Sequence, residues 1–210
     1  GLENRDLDFE AFGIPADSLR QVLAREFPLD LVGESFGILK LHGLPIDVGL
    51  PRRESKAGHG HREFEITSDP DLSLPEAAAR RDFTLNAIYL DPLTGEVADP
   101  YGGLDDLEKR LLRRTSAAFR EDPLRVLRGM QLIGRFQLHA VPETVAECRS
   151  MGLEGLPPER IFDEWRKLLV MGRKPSLGMQ FLQDTRWLKH FPELAALVGV
   201  PQDPRHHPEG

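Results

Sequence analysis

In the stretch LDFEAF, residues 7–12, apolar and polar positions alternate with the period of a β-strand. The period then changes. Within PADSLRQVLAREF, Leu19, Val22 and Leu23 share one helical face and Pro15 suits a first helical position, which predicts a helix over 15–27. FGILKLHGLPIDVGL predicts two strands around a turn at His42–Pro45. PRRESKAGHGHREFEITSDPD, residues 51–71, is polar, rich in glycine and charge, and without a period, so a long mobile loop is expected there. In SLPEAAARR, Ser73 and Glu76 have capping-box spacing and Pro75 falls in the first turn of a short helix. NAIYLDPLTGEVADP reads as a further hairpin, turned at Pro92–Gly95.

From Phe119 onward the pattern is helical almost throughout. EDPLRVLRGMQLIGRF, VPETVAECRSM, PPERIFDEWRKLLVMG and PSLGMQFLQDTRWLKHF repeat apolar residues every three or four positions and are broken by Gly and Pro. Ile161, Trp165, Leu168 and Leu169 form one expected stripe. The expected organisation is α+β: a mixed α/β domain over 1–115, then an all-helical domain over 116–210.

Composition narrows the function. The 210 residues carry a formal net charge of -7, which argues against coating nucleic acid by bulk charge but leaves room for a local basic groove. A single cysteine, Cys148, excludes an intrachain disulfide framework and suits a reducing compartment. No apolar run approaches the roughly 18 residues of a membrane span and no signal peptide opens the chain, so a cytoplasmic protein without a membrane partner is expected.

Four stretches carry candidate chemistry. Asp6 and Asp8 lie two apart on the first strand and so share a face. With a third carboxylate such as Asp47, they could hold hard divalent cations through oxygen; a solvated acidic strand edge has the same spacing. ARRDFTLNAIYLDP offers Arg81 for phosphate, and Asp82 and Asn86 for sugar hydroxyls; a helix end whose arginines meet the negative dipole end reads equally well. In EDPLRVLRG, Pro123 makes Asp122 an apparent N-cap, and Asp122, Arg125 and Arg128 fall on one face. An Asp acceptor beside an Arg donor matches the pairing edge of adenine or cytosine and leaves both groups unsatisfied against uracil or guanine; a capped helix with an ion pair is the plainer alternative. Lys109, Arg110, Arg113 and Arg114 form a basic patch, either a solvated helix face or a seat for a nucleic-acid backbone.

Taken in order, RDLDFEAFG, PIDVGLPRRESKAGHG, RRDFTLNAIYLDPLTGEVADPYGGLDDL and EDPLRVLRG resemble the class II CCA-adding tRNA nucleotidyltransferases and the related bacterial poly(A) polymerases. The resemblance extends to PPERIFDEWRKLL, and HHPEG looks like the start of an HD-type phosphohydrolase domain. It implies a nucleotidyltransferase (polymerase-beta-like) head with a small mixed sheet, then a helical neck. It implies that Asp6 and Asp8 bind Mg²⁺ with Asp47 as third carboxylate, that Arg81, Asp82 and Asn86 handle ribose and triphosphate, and that Asp122 and Arg125 template the base with Arg128 beside them. It likens 99–107 to a spring-like hinge and 52–72 to an element that switches from C to A. The implied activity is transfer of CMP and AMP from CTP and ATP to the tRNA 3′ end by a two-Mg²⁺ mechanism. Poly(A) synthesis and CC-only or A-only addition share these motifs, and a non-catalytic RNA-binding module is the rival of another class.

The sequence departs from the family pattern twice. The glycine-rich phosphate segment of type G-G-x-V-R-D, and the strand with it, would precede Gly1, so a folded but inactive piece of an active enzyme is one of the alternatives. Gln131 stands where many members have arginine, which removes a charge one turn after Arg128.

Overall fold

The computed structural model describes residues 7–30, 38–56, 64–201 and Arg205. They form two compact units, divided between Ala77 and Ala78.

The first unit contains β1 (Leu7–Glu10), α1 (Ala16–Glu26), β2 (Leu29–Asp30), β3 (Ile38–Leu41), β4 (Ile46–Gly49), β5 (Arg52–Lys56), β6 (Phe64–Ser68) and α2 (Leu74–Ala78). Four strands make the expected small mixed sheet, in the order β1-β4-β3-β2. β1 runs parallel to β4, and the other two pairs are antiparallel. Alternation divides its faces. Val48 and Leu39 are register partners, and with Ile46 and Leu50 they pack against Leu19 and Leu23 of α1. Lys40, Asp47 and Asp8 take the intervening positions and therefore the other face. Val22 departs from the predicted stripe and is exposed. Pro15 stands just before α1 with extended ψ of 149°, and its carbonyl accepts from Leu19.

Two segments of the expected loop over 51–71 instead form antiparallel strands. β5 and β6 pair antiparallel from Arg52↔Ser68 to Lys56↔Phe64. Paired strands close their backbone hydrogen bonds on each other whatever the hydrophobic period of the sequence. Residues 57–63 lie outside the described residues. The expected cap of α2 is present: Glu76 Oε2 accepts from the Ser73 amide at 2.9 Å and from its hydroxyl at 2.6 Å.

The second unit contains β7 (Tyr89–Leu90), β8 (Val97–Ala98), α3 (Gly103–Glu108), β9 (Leu111–Leu112), α4 (Leu124–Phe136), β10 (His139–Ala140), α5 (Pro142–Arg149), α6 (Pro158–Met171), α7 (Pro175–Asp184) and α8 (Pro192–Ala195). β7 and β8 are the expected hairpin. α4 is the centre of the core: Val126, Leu127 and Met130 are fully buried and join Leu168 of α6 and Phe181 and Leu182 of α7. Gly178 allows this closeness, since a Cβ there would stand 2.6 Å from the Met130 carbonyl oxygen. Phe83 and Leu112 belong to the same core, and Phe83 meets Phe119 edge-on at 5.4 Å between ring centroids. Residues before 115 thus share a core with the helices after it, within the second compact unit.

Two patterns resolve differently from expectation. On α6, Leu168 is buried and Ile161 and Trp165 pack on the core, while Leu169 is exposed. The run from Lys109 to Arg114 is not a single helix face, because α3 ends at Glu108 and Arg110 has φ of 55°. No described helix is long and apolar enough to cross a membrane.

Candidate active site

In the first unit one row of residues crosses the sheet. Asp8 of β1 is the register partner of Asp47 of β4, and Asp47 is the partner of Lys40 of β3. Partners on neighbouring strands stand roughly 4.8 Å apart and point to the same side. Asp8, Lys40 and Asp47 accordingly line one cleft of about 430 Å³, with Leu7, Asp30 and Leu44 among its other walls. Lys40 Nζ donates to Asp47 Oδ2 at 2.6 Å. The two side chains are 43% and 31% exposed, so this pair contributes only about 0–1 kcal/mol to stability. Its effect is to orient one carboxylate.

Asp6 lies outside the described residues. Among the described residues no three His, Cys, Asp or Glu side chains converge as a metal-binding group. The donors that are present still fit a hard cation: Asp8 and Asp47 offer oxygen only, on one face and at one register position, beside open volume.

The second unit gathers the other expected residues around the segment Arg80–Asn86. Asp82 is buried. Its Oδ1 accepts from the Phe83 amide at 2.8 Å and from Asn86 Nδ2 at 3.0 Å, and Arg128 Nε lies 2.8 Å from Oδ2. The Arg128 contact is an ion pair without hydrogen-bond alignment, since Oδ2 is buried and accepts no hydrogen bond. Arg81 stacks over Tyr89 at 5.7 Å. Arg125 donates to the carbonyls of Ala118 at 2.6 Å and Arg80 at 2.8 Å, which ties α4 to the same segment. Asp122 Oδ1 caps α4 by accepting from the Leu124 amide at 3.0 Å, one residue earlier in the helix register than the pattern suggested. Its Oδ2 accepts from Arg160 of α6 at 2.9 Å. Asp82, Asn86, Arg125 and Arg128 are thus brought together, while Asp122 is held toward α6.

Several pairings around this segment were not specified by the sequence pattern. Thr84 Oγ1 donates to buried Asp106 at 2.7 Å, and Arg113 Nε pairs with Asp106 at 3.1 Å. Arg114 and Arg120 both pair with Glu147. Gly102 starts α3 with φ of 71°, and a Cβ on Gly103 would stand 2.2 Å from the Thr84 carbonyl oxygen, so α3 presses on this segment. Gln131 is buried and accepts from Arg135 at 3.0 Å. Burial pushes the Cys148 thiol up to about 12, which removes it as a nucleophile near neutral pH.

Residues 2–113 match the poly A polymerase head domain family. The chain belongs to that family. Residues 140–197 match a second family, described as the probable RNA and SrmB-binding site of polymerase A. Two curated relatives are named multifunctional CCA protein. That of Xanthomonas campestris pv. campestris (strain B100) is 42% identical over 186 residues, 85% of this chain and 45% of the relative. That of Stenotrophomonas maltophilia (strain K279a) is 43% identical over 186 residues, 85% of this chain and 46% of the relative. The chain therefore spans about half the length of the curated relatives it matches.

Among solved structures, a tRNA nucleotidyltransferase complexed with a primer tRNA and an incoming ATP analog aligns with TM-score 0.69 at 24% identity, over 98% of this chain and 57% of that one. The Bacillus stearothermophilus CCA-adding enzyme in complex with CTP aligns with TM-score 0.68 at 25% identity, over 84% of this chain and 42% of that one. The nucleotidyltransferase head fold expected from the motifs is the fold of this family member.

Proposed function

We propose that this chain is the head and helical neck, divided near residue 115, of a template-independent nucleotidyltransferase that transfers CMP and AMP from CTP and ATP to the tRNA 3′ end. The observation that carries this reading is the register pair Asp8–Asp47, two carboxylates set side by side on the open face of a head-family sheet. Asp6 and Asp8 hold Mg²⁺, with Asp47 as the third carboxylate of the site. Bound Mg²⁺ would supply a lowered pKa at the RNA 3′-hydroxyl and neutralisation of the leaving pyrophosphate.

The protein groups then select and orient. Arg81 offers a guanidinium to phosphate, and Asp82 with Asn86 offers polar atoms to the ribose. Asp122 supplies the acceptor and Arg125 the donor that read the base edge, a pair that accepts A and C and rejects U and G. Both are anchored by second partners, Arg160 for Asp122 and two backbone carbonyls for Arg125. Such anchoring supports a template role, because a reading pair must keep its orientation without a nucleic-acid template. Arg128, paired with Asp82, links the base-reading helix to the ribose segment. A cytoplasmic setting follows from a tRNA substrate and nucleoside triphosphates.

The test is extension of tRNAs that end before the first C, after both C residues, and of a generic RNA, each with one nucleotide at a time. Ordered addition of C, C and A to tRNA alone is expected. Addition of A to any RNA without C would replace this reading with poly(A) synthesis, and addition of only C or only A would assign a partial enzyme. RNA binding with neither turnover nor a rise in melting temperature with Mg-ATP would identify a non-catalytic module.

A further inference from the structure

The row that carries Asp8 and Asp47 does not end at Lys40. Asp30 of β2 is the register partner of Lys40, so Asp30, Lys40, Asp47 and Asp8 follow one another across four strands. All four line the same cleft. The lysine stands between two carboxylates, and its 2.6 Å bond goes to Asp47. Asp30 is engaged instead by His42 Nδ1 at 2.8 Å.

We propose that Lys40 is a positioning residue of the metal site: it occupies Oδ2 of Asp47, competes with the cation for that carboxylate, and leaves Oδ1 and Asp8 to receive it. The inference rests on the reading that Asp8 and Asp47 bind Mg²⁺. Two like charges side by side on neighbouring strands repel, and a short charge-assisted bond from Lys40 offsets that repulsion while it fixes the Asp47 rotamer. The same ammonium stands one strand from the cation's place and carries its sign. It therefore lowers affinity for a free divalent ion. Mg²⁺ binds through one or two carboxylates together with substrate phosphates, so a site weakened in this way fills when a nucleotide triphosphate brings further oxygens.

Mn²⁺ is the probe, titrated by calorimetry or by its spin-resonance signal without nucleotide, so the readout is binding and not turnover. Lys40→Met should bind Mn²⁺ about five- to tenfold more tightly than the parent chain, the scale expected for removing one charge near a divalent ion in a water-exposed cleft. Lys40→Gln should do the same if Lys40→Met fails to fold, and Lys40→Arg should keep the parent affinity. A folded Lys40→Met or Lys40→Gln chain that binds Mn²⁺ no more tightly than the parent overturns the proposal. Asp8→Asn separates the two levels: unchanged Mn²⁺ binding in that variant refutes the metal reading itself, and the role of Lys40 with it.

Discussion

In the first unit, Asp8, Lys40 and Asp47 stand on the open face of a sheet whose opposite side is sealed by Leu19, Val48 and Leu50. In the second, Asp82 and Asp106 are themselves buried, beside a core that runs from Phe83 to Trp187. The same residue type is thus used in two physical regimes. A carboxylate in water stays charged and available to a ligand, and its removal costs little stability. A buried carboxylate must be satisfied by its neighbours, and its removal leaves those neighbours unpaired. Loss of an exposed carboxylate in the first unit and of a buried one in the second should therefore differ in their cost to stability.

The largest effect that could break this comparison is on turnover. Asp8→Asn should reduce nucleotide addition by a factor of about a hundred or more, the scale on which lost electrostatic stabilisation of a transition state is felt, while the melting temperature stays unchanged. A drop in melting temperature would place Asp8 with the structural carboxylates. Next in size, Phe119→Ala should cost about 3–5 kcal/mol in urea unfolding, because it empties a fully buried site beside Phe83. Asp82→Ala should cost about 1–3 kcal/mol by stranding Asn86 and the Phe83 amide; a variant as stable as the parent would erase the distinction between the units.

The smallest effect concerns acid. Burial, and then the charge of Lys189, holds the His190 pKa below its usual 6.5, with Glu154 opposing. The unfolded chain takes up its proton first, so this contribution is present above about pH 6.5 and is lost as pH falls through the lowered folded value. His190→Gln should flatten the decline of melting temperature below pH 6.5, and an unchanged slope would remove His190 from the account.

Local periodicity made α4, the β3–β4 hairpin and the cap of α2 legible in the sequence, because each is specified by residues a few positions apart. The β5–β6 pairing was not legible, since its backbone hydrogen bonds impose no hydrophobic period on a polar sequence. Lys40 lay within a correctly expected strand, but its partner is set by strand register. Arg160 likewise lay within an expected helix, while the residue it holds, Asp122, is distant in sequence. Leu168 and Leu169 are equally apolar, and only packing against α4 decides which one turns inward. Membership of the family was legible from the order of the motifs, none of which was specific alone. The expectation for Asp6 concerns a residue outside those described.

The β3–β4 hairpin also has a consequence in time. Lys40 and Asp47 are seven positions apart across a short turn, a closure that hairpins complete in about 1–10 μs. Asp8 reaches Asp47 only when β1 docks parallel to β4 from far along the chain, a contact whose loop-closure entropy delays it. The local pair is therefore available first. When the second carboxylate arrives during folding, it meets a neighbour whose charge has already been answered.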